Sequence, residues 1–178
     1  LHYVYGPFSL SSEYLVAGYK DIKLFAEDGS ELKDKNGRIT SWSTWMSVFL
    51  TGESKALSNF GWKQPGPENN FNPAKLTGTG AWELLVRYTR TETDEELFET
   101  VAYAEDEYRI LKGSHLVSEY TAGLSWTWNP LIRWQLNYVY LEGDDKYGGI
   151  RTGLEENEDG YEYVDTEQMV GLRMIFRF

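Results

Sequence analysis

The amino-acid sequence predicts an all-β protein, and within that class an antiparallel transmembrane β-barrel. Three observations point there. Apolar and polar residues alternate with period two along much of the chain, while helical periodicity is scarce. One side of each alternating run is nearly free of charge over about 9–11 residues, the length a tilted strand needs to cross a bilayer. Aromatic residues are 16% of the 178 positions, with 13 Tyr and 7 Trp. They gather toward the ends of the runs, where membrane interfaces hold such rings.

Seven strands follow in order. The first spans about 1–6 and breaks at Gly6-Pro7. The second spans about 10–24 and begins with Leu10, Ser12, Tyr14 and Val16 on one face. The third covers about 40–52. The fourth, about 79–91, sets Trp82, Leu84, Val86 and Tyr88 against Glu83, Leu85, Arg87 and Thr89. In the fifth, about 116–128, Tyr120, Ala122, Leu124, Trp126 and Trp128 oppose Thr121, Gly123, Ser125 and Thr127. The sixth, about 131–142, opposes Ile132, Trp134, Leu136, Tyr138 and Tyr140 to Arg133, Gln135, Asn137 and Val139. The seventh, about 167–178, opposes Val170, Leu172, Met174, Phe176 and Phe178 to Gly171, Arg173, Ile175 and Arg177. Trp42, Trp82, Tyr88, Trp128 and Tyr140 stand near strand ends, as interfacial girdles require.

The connections are unequal. Gly6-Pro7-Phe8 and Asn129-Pro130 read as tight turns, whereas the links after the second, fourth and sixth strands read as long and polar. Barrels of bacterial outer membranes show this asymmetry, with short periplasmic turns and long outer loops. Residues 53–78 break the rule, being long on the periplasmic side. They hold Pro65, Pro67 and Pro73, and two readings stay open: a long periplasmic turn or an inserted segment.

The formal charge is −11, which argues against a nucleic-acid-binding surface. Residues 92–109 and 142–167 carry 18 of the 28 acids and 3 of the 17 bases. Both segments fall in outer loops and read as solvated, mutually repelling surface. A sharper alternative is bridging of divalent cations to lipopolysaccharide by Asp144, Asp145, Glu155, Glu156, Glu158 and Asp159. On the polar wall, Glu13, Glu83, Arg87, Arg133, Gln135, Asn137, Arg173 and Arg177 read as pore-lining. Four positive against two negative groups give a weakly anion-attracting surface, and a local Arg87–Glu83 pair, two positions apart on one face, is the bland alternative.

Other classes fit less well. Cysteine is absent, which removes disulfides and Cys-based metal sites. Mean hydropathy is −0.51, and no apolar run reaches the length of a spanning helix. A soluble β-sandwich also alternates, but its outer face carries many Lys and Glu. Here the polar side is mostly Ser, Thr, Gly, Asn, Gln and Arg. No catalytic motif is present: His115 reads as a surface histidine, and Ser118, three residues on, makes a weak partner. No metal or other cofactor is expected. No signal peptide is visible and Leu1 opens inside a strand pattern, which reads as a fragment.

Several segments resemble the phosphate-selective porin O/P family. They are Tyr5-Gly-Pro-Phe-Ser-Leu with Glu13-Tyr14, Ser47-Val48-Phe49-Leu50-Thr51-Gly52-Glu53, Gly80-Ala81-Trp82-Glu83-Leu84 through Arg87-Tyr88, Leu124-Ser125-Trp126-Thr127-Trp128-Asn129-Pro130 with Gln135-Leu136-Asn137-Tyr138, and Gly171-Leu172-Arg173 to the terminal Phe178. The match runs the whole chain in order. The resemblance implies a barrel of about sixteen strands, usually a homotrimer, with residues 1–178 as the C-terminal part of a single barrel domain. It implies a bacterial outer-membrane channel passing small hydrophilic solutes, anions such as phosphate first, in contact with lipid and lipopolysaccharide. The family's arginine ladder, lysine ring and constriction loop lie largely outside these residues. Trp45 departs from the family, which tends to have a polar lumen residue there. A second reading keeps the barrel as a scaffold anchoring an extracellular or periplasmic partner. An outer-membrane enzyme comes third.

Overall fold

A computed structural model describes residues 1–177 except 59, 60, 64, 145, 147, 148, 158 and 159; for 56–58, 61–63, 151–157 and 160–163 it describes the backbone alone. Phe178, Asp145, Glu158, Asp159 and the side chains of Glu155 and Glu156 lie outside the described residues. Seven strands form one antiparallel sheet: β1 (His2–Tyr5), β2 (Phe8–Phe25), β3 (Glu31–Phe49), β4 (Ala81–Thr93), β5 (Leu116–Asn129), β6 (Ile132–Gly143) and β7 (Thr166–Phe176). Each strand pairs with its sequence neighbour, so the sheet is an up-and-down meander. β1 and β7 each keep one edge unpaired within it. No α-helix occurs among the described residues; one 3₁₀ turn, Glu95–Leu97, sits in the link after β4.

The expected β4 to β7 boundaries fall within two residues of those observed. β3 does not: it starts at Glu31, nine residues before the expected position. The link after β2 is therefore the five-residue turn 26–30, not a long polar loop. Between Lys20 and Arg38 both strand faces carry polar residues. Both faces meet water there, so the backbone stays extended while the alternation that reveals a half-buried strand disappears. The β5–β6 turn is closed by the Asn129 side chain, which accepts the Leu131 and Ile132 backbone N–H at 2.9 and 3.1 Å. That is the self-capping for which Asn is favoured in turns. The long links hold small hairpins of their own: Ala56–Ser58 with Gly61–Lys63, Val101–Tyr103 with Asp106–Tyr108, and Ile150–Asn157 with Gly160–Val164.

The register aligns like with like across the sheet. One row runs Phe8, Val48, Leu84, Leu124, Leu136, Leu172; the next runs Leu10, Met46, Val86, Ala122, Tyr138, Val170. Most of these residues are exposed and the rest half-buried: Met46 is 46% accessible, Leu136 46% and Leu172 69%. On the polar face the centre is covered, with Ser47 at 2% and Glu83 at 4%. A water-soluble sandwich has the opposite arrangement, since burying apolar area is what stabilises it. An exposed apolar surface of this breadth needs a nonaqueous neighbour.

Rings bound the apolar band at both ends. At one end Trp42, Tyr88, Tyr120 and Tyr140 follow one another at centroid distances of 5.8, 5.1 and 6.0 Å. At the other, Trp82 stacks on Trp126 at 4.7 Å, and Trp128 and Trp134 continue the chain at 5.2 and 6.0 Å. All five rings expected at strand ends take part. Tyr88 and Trp82 are six residues apart, roughly 20 Å along a strand, which with the ring widths suits the apolar band of a membrane barrel.

Candidate functional site

The candidate site is the polar face, built in rows by the same register. Toward the long outer loops, Glu13, Ser43, Thr89, Glu119, Leu141 and Glu167 share a row. Below it lie Ser11, Trp45, Arg87, Thr121 and Val139, then Ser9, Ser47, Leu85, Gly123 and Asn137. Glu83, Ser125, Gln135 and Arg173 form the next row. Thr127, Arg133 and Ile175 lie nearest the tight turns, with Arg177 joined through its backbone N–H to Leu131. All eight residues expected to line a pore thus lie on one face. Gly123 makes room in it: a Cβ there would stand 2.7 Å from the Asn137 side-chain oxygen.

The partners differ from those expected. Arg87 pairs with Glu119 across to β5, not with Glu83. Glu83 instead accepts Lys55 at 2.6 Å, Arg133 at 3.3 Å and the Ser47 hydroxyl at 2.8 Å. The reason is geometric. Arg87 reaches Glu119 on the diagonal, one register step from its own partner Thr121, and Arg133 reaches Glu83 across β5, spans that a long guanidinium side chain covers. Arg133 also donates to Ser125 at 2.9 Å, and Arg173 donates to Gln135 at 3.1 Å. Among the described residues neither Arg173 nor Arg177 has a carboxylate within ion-pair distance. Glu119 and Glu167 add two acids to this face, and Lys55 reaches it from outside the sheet. The balance is therefore closer to neutral than four against two. Glu119 was legible from the parity of β5; Lys55, placed by a loop, was not.

Lys55, Glu53 and Phe71 of the 53–78 link are each tied to the sheet or its turns. Lys55 donates to Ser9 at 3.1 Å and Ser47 at 2.5 Å as well as to Glu83. Glu53, 2% exposed, accepts the Thr51 hydroxyl and the Glu68 backbone N–H. The Thr51 hydroxyl in turn accepts the Trp82 N–H at 3.0 Å. Farther along, Pro65 and Gly66 close a small cavity of about 80 Å³ with Thr127, Arg133, Ile175 and Arg177. Lys55, Pro65 and Gly66 thus lie over the polar face at the tight-turn end. The Leu-Thr-Gly-Glu run is the knot that turns the chain inward. After it, Phe71 passes to the other side and packs on Trp126 and Trp128 at 4.9 and 5.2 Å.

The outer loops are not simply repelling. Glu96 and Glu99 pair with Lys35 and Lys33 of the β2–β3 hairpin, and Tyr103 donates to Asp28 at 3.1 Å. His115 is no surface histidine. It is 8% exposed and lies 3.3 Å from Glu95 and 3.4 Å from Asp144, tying two loops together. Ser118 falls in the opposite face's row with Arg90 and Glu142. Among the described residues no group of three or more His, Asp or Glu is arranged to hold a metal ion.

A lipid-facing apolar surface between two aromatic girdles, backed by a polar face, defines the wall of a membrane β-barrel. The family model for phosphate-selective porins O and P matches residues 1–178. The chain belongs to that family, whose members are outer-membrane channels of bacteria rather than enzymes. No curated protein sequence matches the chain. A scaffold role without a channel is not favoured by this membership.

Proposed function

We propose that the polar face lines a water-filled channel for diffusion of small hydrophilic solutes, with anions such as phosphate preferred. Residues 1–178 form the C-terminal part of a single barrel domain, and further strands complete the wall, because lipid tolerates no open sheet edge. The barrel assembles as a homotrimer in the outer membrane, with lipopolysaccharide beside its acidic outer loops. Glu13, Glu83, Arg87, Arg133, Gln135, Asn137, Arg173 and Arg177 line the pore. The observation that carries the reading is the inverted burial: leucines out, serines and the Glu83 ion pairs in. Arg173 and Arg177 support the anion preference, since pore-wall cations attract anions. Pairing of Arg87 with Glu119 and of Arg133 with Glu83 weakens it, so the preference is modest. Reversal potential of the full-length protein in a planar bilayer under a KCl gradient tests this. Chloride over potassium is the expected order, reduced by Arg173→Gln with Arg177→Gln; potassium preference in the parent overturns it.

A further inference from the structure

We propose that Trp45 is the platform of a subsite for a neutral, ring-shaped, hydroxylated solute, a mono- or disaccharide; the proposal rests on the channel reading above. Among the described residues, Trp45 is the one tryptophan on the polar face; Trp42, Trp82, Trp126, Trp128 and Trp134 all belong to the girdles. The aligned residue on β2 is Ser11, and the nearest same-face residues on its own strand are Ser43 and Ser47. These small hydroxylated neighbours leave the half-buried ring standing above the wall. The His2 ring meets it edge-on at 6.2 Å and 63°, and Arg87 is its register partner on β4.

The ring borders a cavity of about 400 Å³ that Glu13, Arg87, Leu85, Asn137 and Val139 also line. That volume is within the range of small-molecule clefts. The chemistry around it favours one class of occupant. A sugar ring offers an apolar C–H face and a polar hydroxyl edge, so it needs an aromatic plane beside fixed donors and acceptors. Glu13 accepts only, Arg87 donates only, and the Asn137 amide does both. Arg87 is held by Glu119, which positions its guanidinium and cancels most of its charge. With Glu13 the local charge is slightly negative, so an inorganic anion is disfavoured here and a neutral solute meets no charge penalty. An organic cation would use the indole and Glu13, but it would leave the Arg87 and Asn137 donors without an acceptor.

The test is current through the full-length protein in a planar bilayer, titrated with maltose and corrected for bulk conductivity. Saturable block is expected. Trp45→Ala raises the half-blocking concentration at least tenfold, and Trp45→Phe restores most of the affinity. Current that follows bulk conductivity alone, or block unchanged in Trp45→Ala, overturns the subsite while leaving the channel intact. Block by tetramethylammonium but not by maltose replaces the sugar with a cation and overturns it too. Absence of any current overturns the channel reading instead. Calorimetric titration of the detergent-solubilised protein with maltose then still decides the subsite: heat of binding lost in Trp45→Ala supports it, and no binding to the parent rejects it.

Discussion

Glu83 shows how one carboxylate organises this wall. It projects from the centre of the sheet and is 4% exposed. A β3 hydroxyl, a β6 guanidinium and the Lys55 ammonium from the 53–66 segment all converge on it. Removing the carboxylate of such a covered cluster costs about 3–5 kcal/mol, because the groups around it lose the charge that offsets their desolvation. Glu83→Ala is expected to destabilise the full-length barrel by that order in a urea titration. Glu13→Ala, at an exposed position, is expected to stay within about 0.5 kcal/mol. Equal effects at the two sites would remove Glu83 from its organising role.

At the scale of elements, the β2–β3 hairpin is the longest feature. Beyond the Tyr14–Trp42 pair it continues about ten residues, roughly 30 Å along the strand. The link after β4 clasps it. Asp94 accepts the Arg38 N–H at 2.9 Å, and Leu97 fills the space over Gly37, where a Cβ would lie 2.4 Å from its methyl. Lys35 and Glu96 add an ion pair. Hydrogen bonds from the Ser30 backbone N–H and hydroxyl, then the Tyr103 hydroxyl, lower the Asp28 pKa. The Lys35 hydrogen bond and charge lower that of Glu96. A depressed carboxyl adds stability that is complete above its unfolded pKa and is lost as pH falls through its folded value. Lys35 is shifted upward, first by its bond to Glu96, so its share fades only in strong alkali. The clasp is therefore expected to hold at neutral pH and open below the ordinary carboxylate range. Spin labels at Glu27 and Glu105 read this as a distance that lengthens and broadens on acidification. An unchanged distance in strong acid would mean that Leu97 packing alone holds the clasp.

For the whole molecule, the decisive property is which face meets hydrocarbon. Leu136 and Gln135 are adjacent in sequence, yet they occupy opposite faces. An arginine at a lipid-facing midplane position costs about 2–4 kcal/mol, whereas the same change toward water costs little. Leu136→Arg is thus expected to impair folding of the full-length protein into liposomes, while Gln135→Arg folds normally. Gel mobility of the folded and unfolded forms measures both. Reversed outcomes would invert the faces and end the channel reading.

Residue order alone carries the seven strands, their spanning parts, the two faces and the girdle positions, along with the resemblance to the porin family. Alternation records which side of each residue meets lipid, and lipid imposes that choice at every position it touches. The remaining features come from contacts between distant parts of the chain. The hairpin above the membrane was illegible because water on both sides leaves no alternation. The exchange of partners, Arg87 to Glu119 and Glu83 to Arg133, depends on strand register. The inward placement of Lys55 depends on its meeting a carboxylate 28 positions away in the chain. His115 was misread for the same reason, since its two acidic neighbours arrive from separate loops. A local pattern carries the solvent each residue faces; it carries no record of what distant chain is folded against it.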